Sequence, residues 1–279
     1  MMRNFSLTLL LFVNVLAVLS QEQVIYKQVD SIKLGMEVFR PNKESVDDLY
    51  PAIVFFFGGG WQRGSLNQFK AHANYLSQRG MVCFLVDYRV NKRHQTTPFE
   101  SLKDAKSAIR FIRANARKWH VNPEQIVAAG GSAGGHLAAA SALIDHYDDV
   151  SDSISVSCKP NALIFFNPVI DNGPGGYGYE RIGDAYKDFS PLHNIIKDAP
   201  PTIMFLGTED HLIPVETVKY YQTVMEKVGS RCDLYLYDGE GHGFFNRSNL
   251  KFYQETLVKA DSFLISINYL QKEPYIEIR

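Results

Sequence analysis

Cysteine is scarce in this chain of 279 residues: Cys83, Cys158 and Cys232 are the only three, and no Cys-x-x-Cys pair occurs. That excludes a disulfide scaffold and the common cysteine-rich zinc sites. Neither sign of charge is in excess. Lys and Arg number 29 against 30 Asp and Glu, a formal charge of -1. No global electrostatic reason to bind nucleic acid exists, and no nucleic-acid partner is expected. Gly and Pro, at 20 and 12, are too few for a collagen-like or linker chain. Past the first twenty residues no apolar run reaches the length of a membrane-spanning helix. No Gly-Lys-Ser/Thr phosphate loop is present, so nucleotide binding is the weaker reading of any Gly-rich turn. What the chain has is 46% hydrophobic and 21% charged residues, the proportions of a globular enzyme. A chain of this length buries roughly three quarters of its unfolded surface, so it needs no metal or disulfide staple to fold.

The first twenty residues read as a secretory signal peptide. Arg3 supplies a basic start, residues 5–19 are almost wholly apolar, and Ser20 is a small residue at the expected cut before Gln21. The expected division is a signal peptide over 1–20 and one catalytic domain over 21–279. The mature chain would then work outside the cytosol, secreted or periplasmic, with no stable membrane insertion. Disulfides are permitted there, but three cysteines leave one over. Whether Cys158 and Cys232 meet stays open.

Along the rest of the chain, periodicity predicts strands at 24–30, 34–40, 52–57, 82–86, 126–129, 163–166, 202–206 and 234–237. It predicts helices at 67–79, 99–119, 133–144, 216–228 and 250–267. Leu102, Ala105, Ile109, Ile112 and Ala116 mark one face of the second helix. Residues 89–98 read as loop, and 167–200 as a long irregular segment. From residue 52 onward strands alternate with helices. That is the pattern of a mostly parallel central sheet with helices on both faces, and the opening strand pair fits an antiparallel edge.

The chemistry sits at strand ends. Gly130-Gly131-Ser132-Ala133-Gly134 matches Gly-x-Ser-x-Gly, and it follows one predicted strand and opens an Ala-rich helix. A strand-to-helix turn that sharp lifts the Ser hydroxyl clear of the sheet and has no room for side chains beside it. It leaves the Ala133 N–H at a helix start, free to meet developing negative charge. The bland alternative is a Gly-rich turn with a helix-capping Ser. Phe57-Gly58-Gly59-Gly60-Trp61 follows the strand at 52–57 and fits the other half of an oxyanion hole. Arg63 could cover that loop or touch substrate; a plain surface Arg is the alternative.

A Ser hydroxyl needs a base, and the base needs an acid to fix its tautomer. Of eight histidines, His242 lies between Gly241 and Gly243 just past the last strand, where a loop can present the ring to a cleft. His136 is held on the helix after Ser132. His72, His94, His120, His146 and His193 lie in polar or helical stretches and read as surface residues. His211 is the rival base. For the acid, Asp210 follows the strand at 202–206, with Glu209 as its rival. The order Ser132, Asp210, His242 is the one general to α/β-hydrolases.

With these stretches in view, the chain resembles the α/β-hydrolase superfamily, and more closely the acetyl-esterase/lipase-like branch that includes hormone-sensitive-lipase-like and bacterial feruloyl or acetylxylan esterases. The matching stretches are 56–61, Asp87-Tyr88-Arg89, Asn122-Pro123-Glu124-Gln125-Ile126, 130–136, 207–214 and 241–243. The resemblance implies the α/β-hydrolase fold, with Ser132 as nucleophile, Asp210 as acid, His242 as base, and Gly59, Gly60 and Ala133 as oxyanion-hole donors. Many relatives have His where Phe57 stands, which puts the support of the Gly loop in question. Little sequence precedes the sheet, so the helical N-terminal cap of lipase-like relatives is not expected.

Trp61, Tyr177 and Tyr179 are the candidate substrate contacts; ordinary packing is their alternative. The resulting expectation is a secreted serine esterase needing no cofactor and no metal. Its substrate would be a small ester or acylated carbohydrate, with acetyl or feruloyl groups released. Other readings are a serine peptidase or small-lipid esterase on the same fold, and, from another class, a non-catalytic binding module.

Overall fold

A computed structural model of the chain describes residues 22–41 and 48–278. The expected signal segment lies outside them. The strands are β1 (Glu22–Val29), β2 (Ile32–Phe39), β3 (Tyr50–Phe56), β4 (Val82–Val86), β5 (Val121–Gly131), β6 (Ala162–Phe166), β7 (Thr202–Gly207) and β8 (Cys232–Tyr237). They form one sheet in the order β1-β2-β4-β3-β5-β6-β7-β8. β1 and β2 pair antiparallel, and β2 runs antiparallel to β4. All pairings from β4 to β8 are parallel. This is the α/β-hydrolase architecture with its antiparallel edge at the N-terminal side.

The helices are α1 (Lys70–Gln78), α2 (Asn91–His94), α3 (Pro98–Ala114), α4 (Ala133–Leu143), α5 (Tyr179–Ile182), α6 (Tyr186–Phe189), α7 (Val215–Lys227) and α8 (Leu250–Ser266). β3, β4, β6 and β7, and the second half of β5, are almost wholly apolar because both faces of the central sheet are covered. In β3, Ala52, Val54 and Phe56 join one core with Ile109 of α3, Leu137 of α4 and Met225 of α7. Ile53 and Phe55 point the other way, into a second core with Leu76 of α1 and Leu257 of α8. Every residue of α4 is buried. Its run of alanines is what a helix enclosed on all sides requires when it must lie close to a sheet.

Several expected elements are divided or lengthened. The helix at 67–79 is a 3-10 turn, Leu66–Phe69, followed by α1. The helix at 99–119 stops at Ala114, where the Asn115 side chain donates to the Phe111 carbonyl at 2.8 Å. A 3-10 turn then brings Trp119 edge-on to Phe84, with ring centroids 5.2 Å apart. β5 extends well beyond the short strand expected at 126–129, because it pairs with β3 and β6 on its two sides. The segment 167–200 carries α5 and α6, and 89–98 carries α2. All three cysteines are free thiols, so Cys158 and Cys232 do not meet in a disulfide.

His72 corrects its expected surface position. It is 1% exposed. Phe69, Phe166 and Tyr253 present ring edges or faces to it. Neither ring nitrogen has a hydrogen-bond partner, and burial pulls its pKa down to about 3. His136 is also buried, which lowers its pKa to about 4. An unfolded histidine titrates near about 6.5. In moderate acid the unfolded chain therefore binds protons that the folded chain refuses. Stability is full above that range and falls as pH drops, by roughly 2 kcal/mol per ring at about pH 5. Thermal melts should show Tm declining between about pH 7 and pH 5, with a shallower decline in His72→Phe. Equal slopes in the two proteins would remove His72 from this account.

Candidate active site

β5 ends at Gly131, and the chain turns at once into α4. Ser132 occupies the turn at φ 53 and ψ -120, a conformation a non-Gly residue adopts only where the surroundings enforce it. The Ser132 N–H donates to the Phe166 carbonyl at 3.0 Å, and the Ser132 carbonyl accepts from Val169 and His136. Gly134 must be Gly: a Cβ there would lie 2.0 Å from the Phe56 carbonyl oxygen, because α4 starts directly against β3. The Gly-x-Ser-x-Gly spacing thus records how closely helix and sheet approach.

β7 and β8 supply the partners. The His242 Nδ1 lies 2.8 Å from Asp210 Oδ2, and its Nε2 lies 2.9 Å from Ser132 Oγ. Asp210 Oδ1 accepts from the Leu212 and Ile213 N–H groups at 2.9 and 3.1 Å. With its side chain 0% exposed, the carboxylate is held from three directions. An acceptor at Nδ1 keeps the proton on that nitrogen and leaves Nε2 to accept from the Ser hydroxyl. The rivals are elsewhere. Glu209 and His211 are exposed, and neither side chain takes part in this series of hydrogen bonds.

The Gly loop lies beside Ser132. Gly60 has φ 64, and a Cβ on it would meet the Tyr177 hydroxyl at 2.5 Å. The N–H groups of Gly59, Gly60 and Ala133 have no acceptor among the described residues. Gly58 differs, since its N–H donates to Gln68 Oε1 at 2.7 Å. Phe57 supports the loop by stacking on Tyr88, with centroids 4.1 Å apart, while the Tyr88 hydroxyl donates to the Phe57 carbonyl at 2.6 Å. An aromatic stack and one hydroxyl therefore support the loop at the position where many relatives carry His.

Trp61 is not a substrate contact. It is 0% exposed and packs edge-on against His136, with Phe189 behind. Tyr179 stands against Tyr186 and does not line the cleft. Tyr177 does line it. The segment carrying these tyrosines is tied down by Arg181, whose guanidinium donates to the Gly60 carbonyl at 2.6 Å and lies over the Trp61 and Tyr177 rings.

Three residues of the site were not visible in the sequence. Asn167, at the end of β6, places its Nδ2 3.3 Å from His242 Nε2 and accepts the Gly243 N–H at 3.0 Å. Gln68 Nε2 donates to Asn246 Oδ1 at 3.1 Å, and Asn246 Nδ2 donates to the Gly243 carbonyl at 2.7 Å. A series of amides thus links the Gly loop to the His242 loop. Ser132, His242, Gly59, Gly60, Tyr177 and Leu212 open into one cavity of about 580 Å³. A larger one, about 710 Å³, runs between α1 and residues 275–277 but does not reach Ser132. Among the described residues no cluster of metal-ligating side chains occurs, and no helix is long and apolar enough to cross a membrane.

Comparison with known proteins gives consistent matches. A family model described as BD-FAE matches residues 36–174, and one described as the dienelactone hydrolase family matches residues 167–272. The chain is 27% identical to an acetylxylan esterase of Xylanibacter ruminicola over 255 residues, covering 85% of this chain and 49% of that protein. It is 28% identical to esterase LipC of Mycobacterium tuberculosis over 215 residues, covering 70% and 53% of the two chains. The chain spans about half the length of these curated relatives. Among solved structures, propionate-bound esterase 2 of Thermogutta terrifontis is similar with a TM-score of 0.85 and 41% identity, covering 91% of this chain and 97% of that one.

Proposed function

The chain belongs to the α/β-hydrolase esterases and is a serine carboxylic ester hydrolase, and from that premise we propose that Ser132, His242 and Asp210 carry its chemistry on short acyl esters of carbohydrate. The observation that carries the site reading is the continuous series Ser132 Oγ–His242 Nε2 at 2.9 Å and His242 Nδ1–Asp210 Oδ2 at 2.8 Å. His242 takes the Ser132 proton as Oγ attacks the ester carbonyl. The free N–H groups of Gly59, Gly60 and Ala133 stabilise the oxyanion that forms. His242 then returns the proton to the leaving alkoxide, and an acyl group remains on Ser132. Water, deprotonated by the same ring, attacks the acyl-enzyme and frees the acid.

The short-acyl part of the proposal is supported by the lining. Leu212 and Phe245 are the only large apolar side chains among otherwise glycine, polar and charged groups and Tyr177. The propionate of the Thermogutta esterase structure fits a small acyl group. Carbohydrate as the alcohol is supported by the acetylxylan esterase relative and by Tyr177, a ring at the cleft suited to stacking on a sugar. Action outside the cytosol is supported by the apolar run at 5–19 after Arg3.

Each buried CH₂ adds roughly 0.8 kcal/mol to binding where a tunnel exists to receive it. No such gain is expected here. On p-nitrophenyl esters kcat/KM should peak from acetyl to butyryl and fall beyond. A maximum at about eight carbons or longer would replace this proposal with a lipase.

A further inference from the structure

The catalytic cavity continues past the Gly loop into a second one of about 550 Å³, with Gly58, Gly59, Arg63, Gln68 and Asn246 common to both. Arg63 and Lys92 line the first, and Arg63 and Arg247 the second. No carboxylate lines either. All three cations are exposed, and none forms a side-chain ion pair or hydrogen bond among the described residues. Other arginines are engaged: Arg79 with Asp261, Arg89 with Asp104, Arg93 with Asp87, Arg110 with Asp152. The acid beside His242, Asp210, is buried with its oxygens taken by His242, Leu212 and Ile213. The trough is therefore positive in a chain whose formal charge is -1.

Unpaired cations along a cleft focus field lines and raise the local concentration of an anion. A guanidinium also presents a planar fork matched to a carboxylate. The amides of Gln68 and Asn246 between them offer donors and acceptors to neutral hydroxyls. We propose that the site takes an anionic acylated saccharide, with the ester carbonyl at Ser132 and a carboxylate of the alcohol portion in the Arg63–Arg247 cavity. This rests on the esterase reading above and adds the charge of the substrate to it.

The test measures acetate release from an O-acetylated uronic-acid oligosaccharide and from a neutral O-acetylated xylo-oligosaccharide of equal length. The expected kcat/KM ratio is about tenfold in favour of the acid at low salt, falling toward one as salt screens the trough. Arg63→Gln and Arg247→Gln should each lower that ratio about threefold or more. A ratio near one, or one indifferent to salt and to both variants, overturns the inference. Preference for p-nitrophenyl hemisuccinate over p-nitrophenyl acetate, with none within the saccharide pair, moves the charge to the acyl side and overturns it equally. Turnover of p-nitrophenyl acetate separates the two layers. If it persists while the ratio is one, the anion inference alone falls; if it is absent, the esterase reading falls as well.

Discussion

Ser132→Ala should lose about 10⁶-fold in kcat on a soluble ester while the protein stays folded. The substitution removes one oxygen. The Ser132 backbone groups that bind Phe166, Val169 and His136 remain, and Ala bears the positive φ at the same cost as Ser. What disappears is the atom that attacks and the acceptor of the acyl group, and His242 is left with no hydroxyl to deprotonate. The three free N–H groups persist, so residual catalysis of about 10³-fold over water is expected. Circular dichroism establishes the fold, and p-nitrophenyl acetate reads the rate. A folded variant with wild-type turnover would falsify the nucleophile assignment.

Asp210→Asn should lower kcat by about 10⁴-fold, with Glu209→Gln close to wild type. The Asn oxygen can still accept from Leu212 and Ile213, so the turn survives. The Asn amide nitrogen, however, is a donor where His242 Nδ1–H needs an acceptor. The ring then places its proton on Nε2, and that nitrogen can no longer take one from Ser132. Both variants assayed on one ester decide the matter. A larger loss at Glu209 would transfer the role by one residue.

The sheet and the Ser132 turn were legible because their signals are local. Five residues suffice for the turn, and burial on both faces makes the middles of β3 to β7 continuous apolar runs. The amide series was not legible because its members are far apart. Gln68 and Asn246 are 178 residues apart and meet only when the first turn before α1 lies against the loop after β8. Nothing in the residues around Asn167 distinguishes it from any polar residue ending a strand. Trp61 misled for the opposite reason. An aromatic beside a Gly loop reads alike whether it faces substrate or core, and here His136 and Phe189 draw it inward. His72 has a polar helical context, yet the face it occupies is the one turned to the aromatic core.

The Arg181 clamp has a consequence for how the enzyme meets aggregated substrate. Segment 167–200 is long enough to act as a flap, and its middle is fastened to the Gly60 carbonyl and laid across Trp61 and Tyr177. Lifting it would strip a charge-assisted bond from the loop proposed to receive the oxyanion, so opening and the proposed catalysis oppose each other. A flap that opens on contact with an oil surface is therefore not expected of this chain. Ester dissolved as single molecules and ester gathered in micelles should therefore be hydrolysed alike, with no jump in rate as substrate passes its critical micelle concentration.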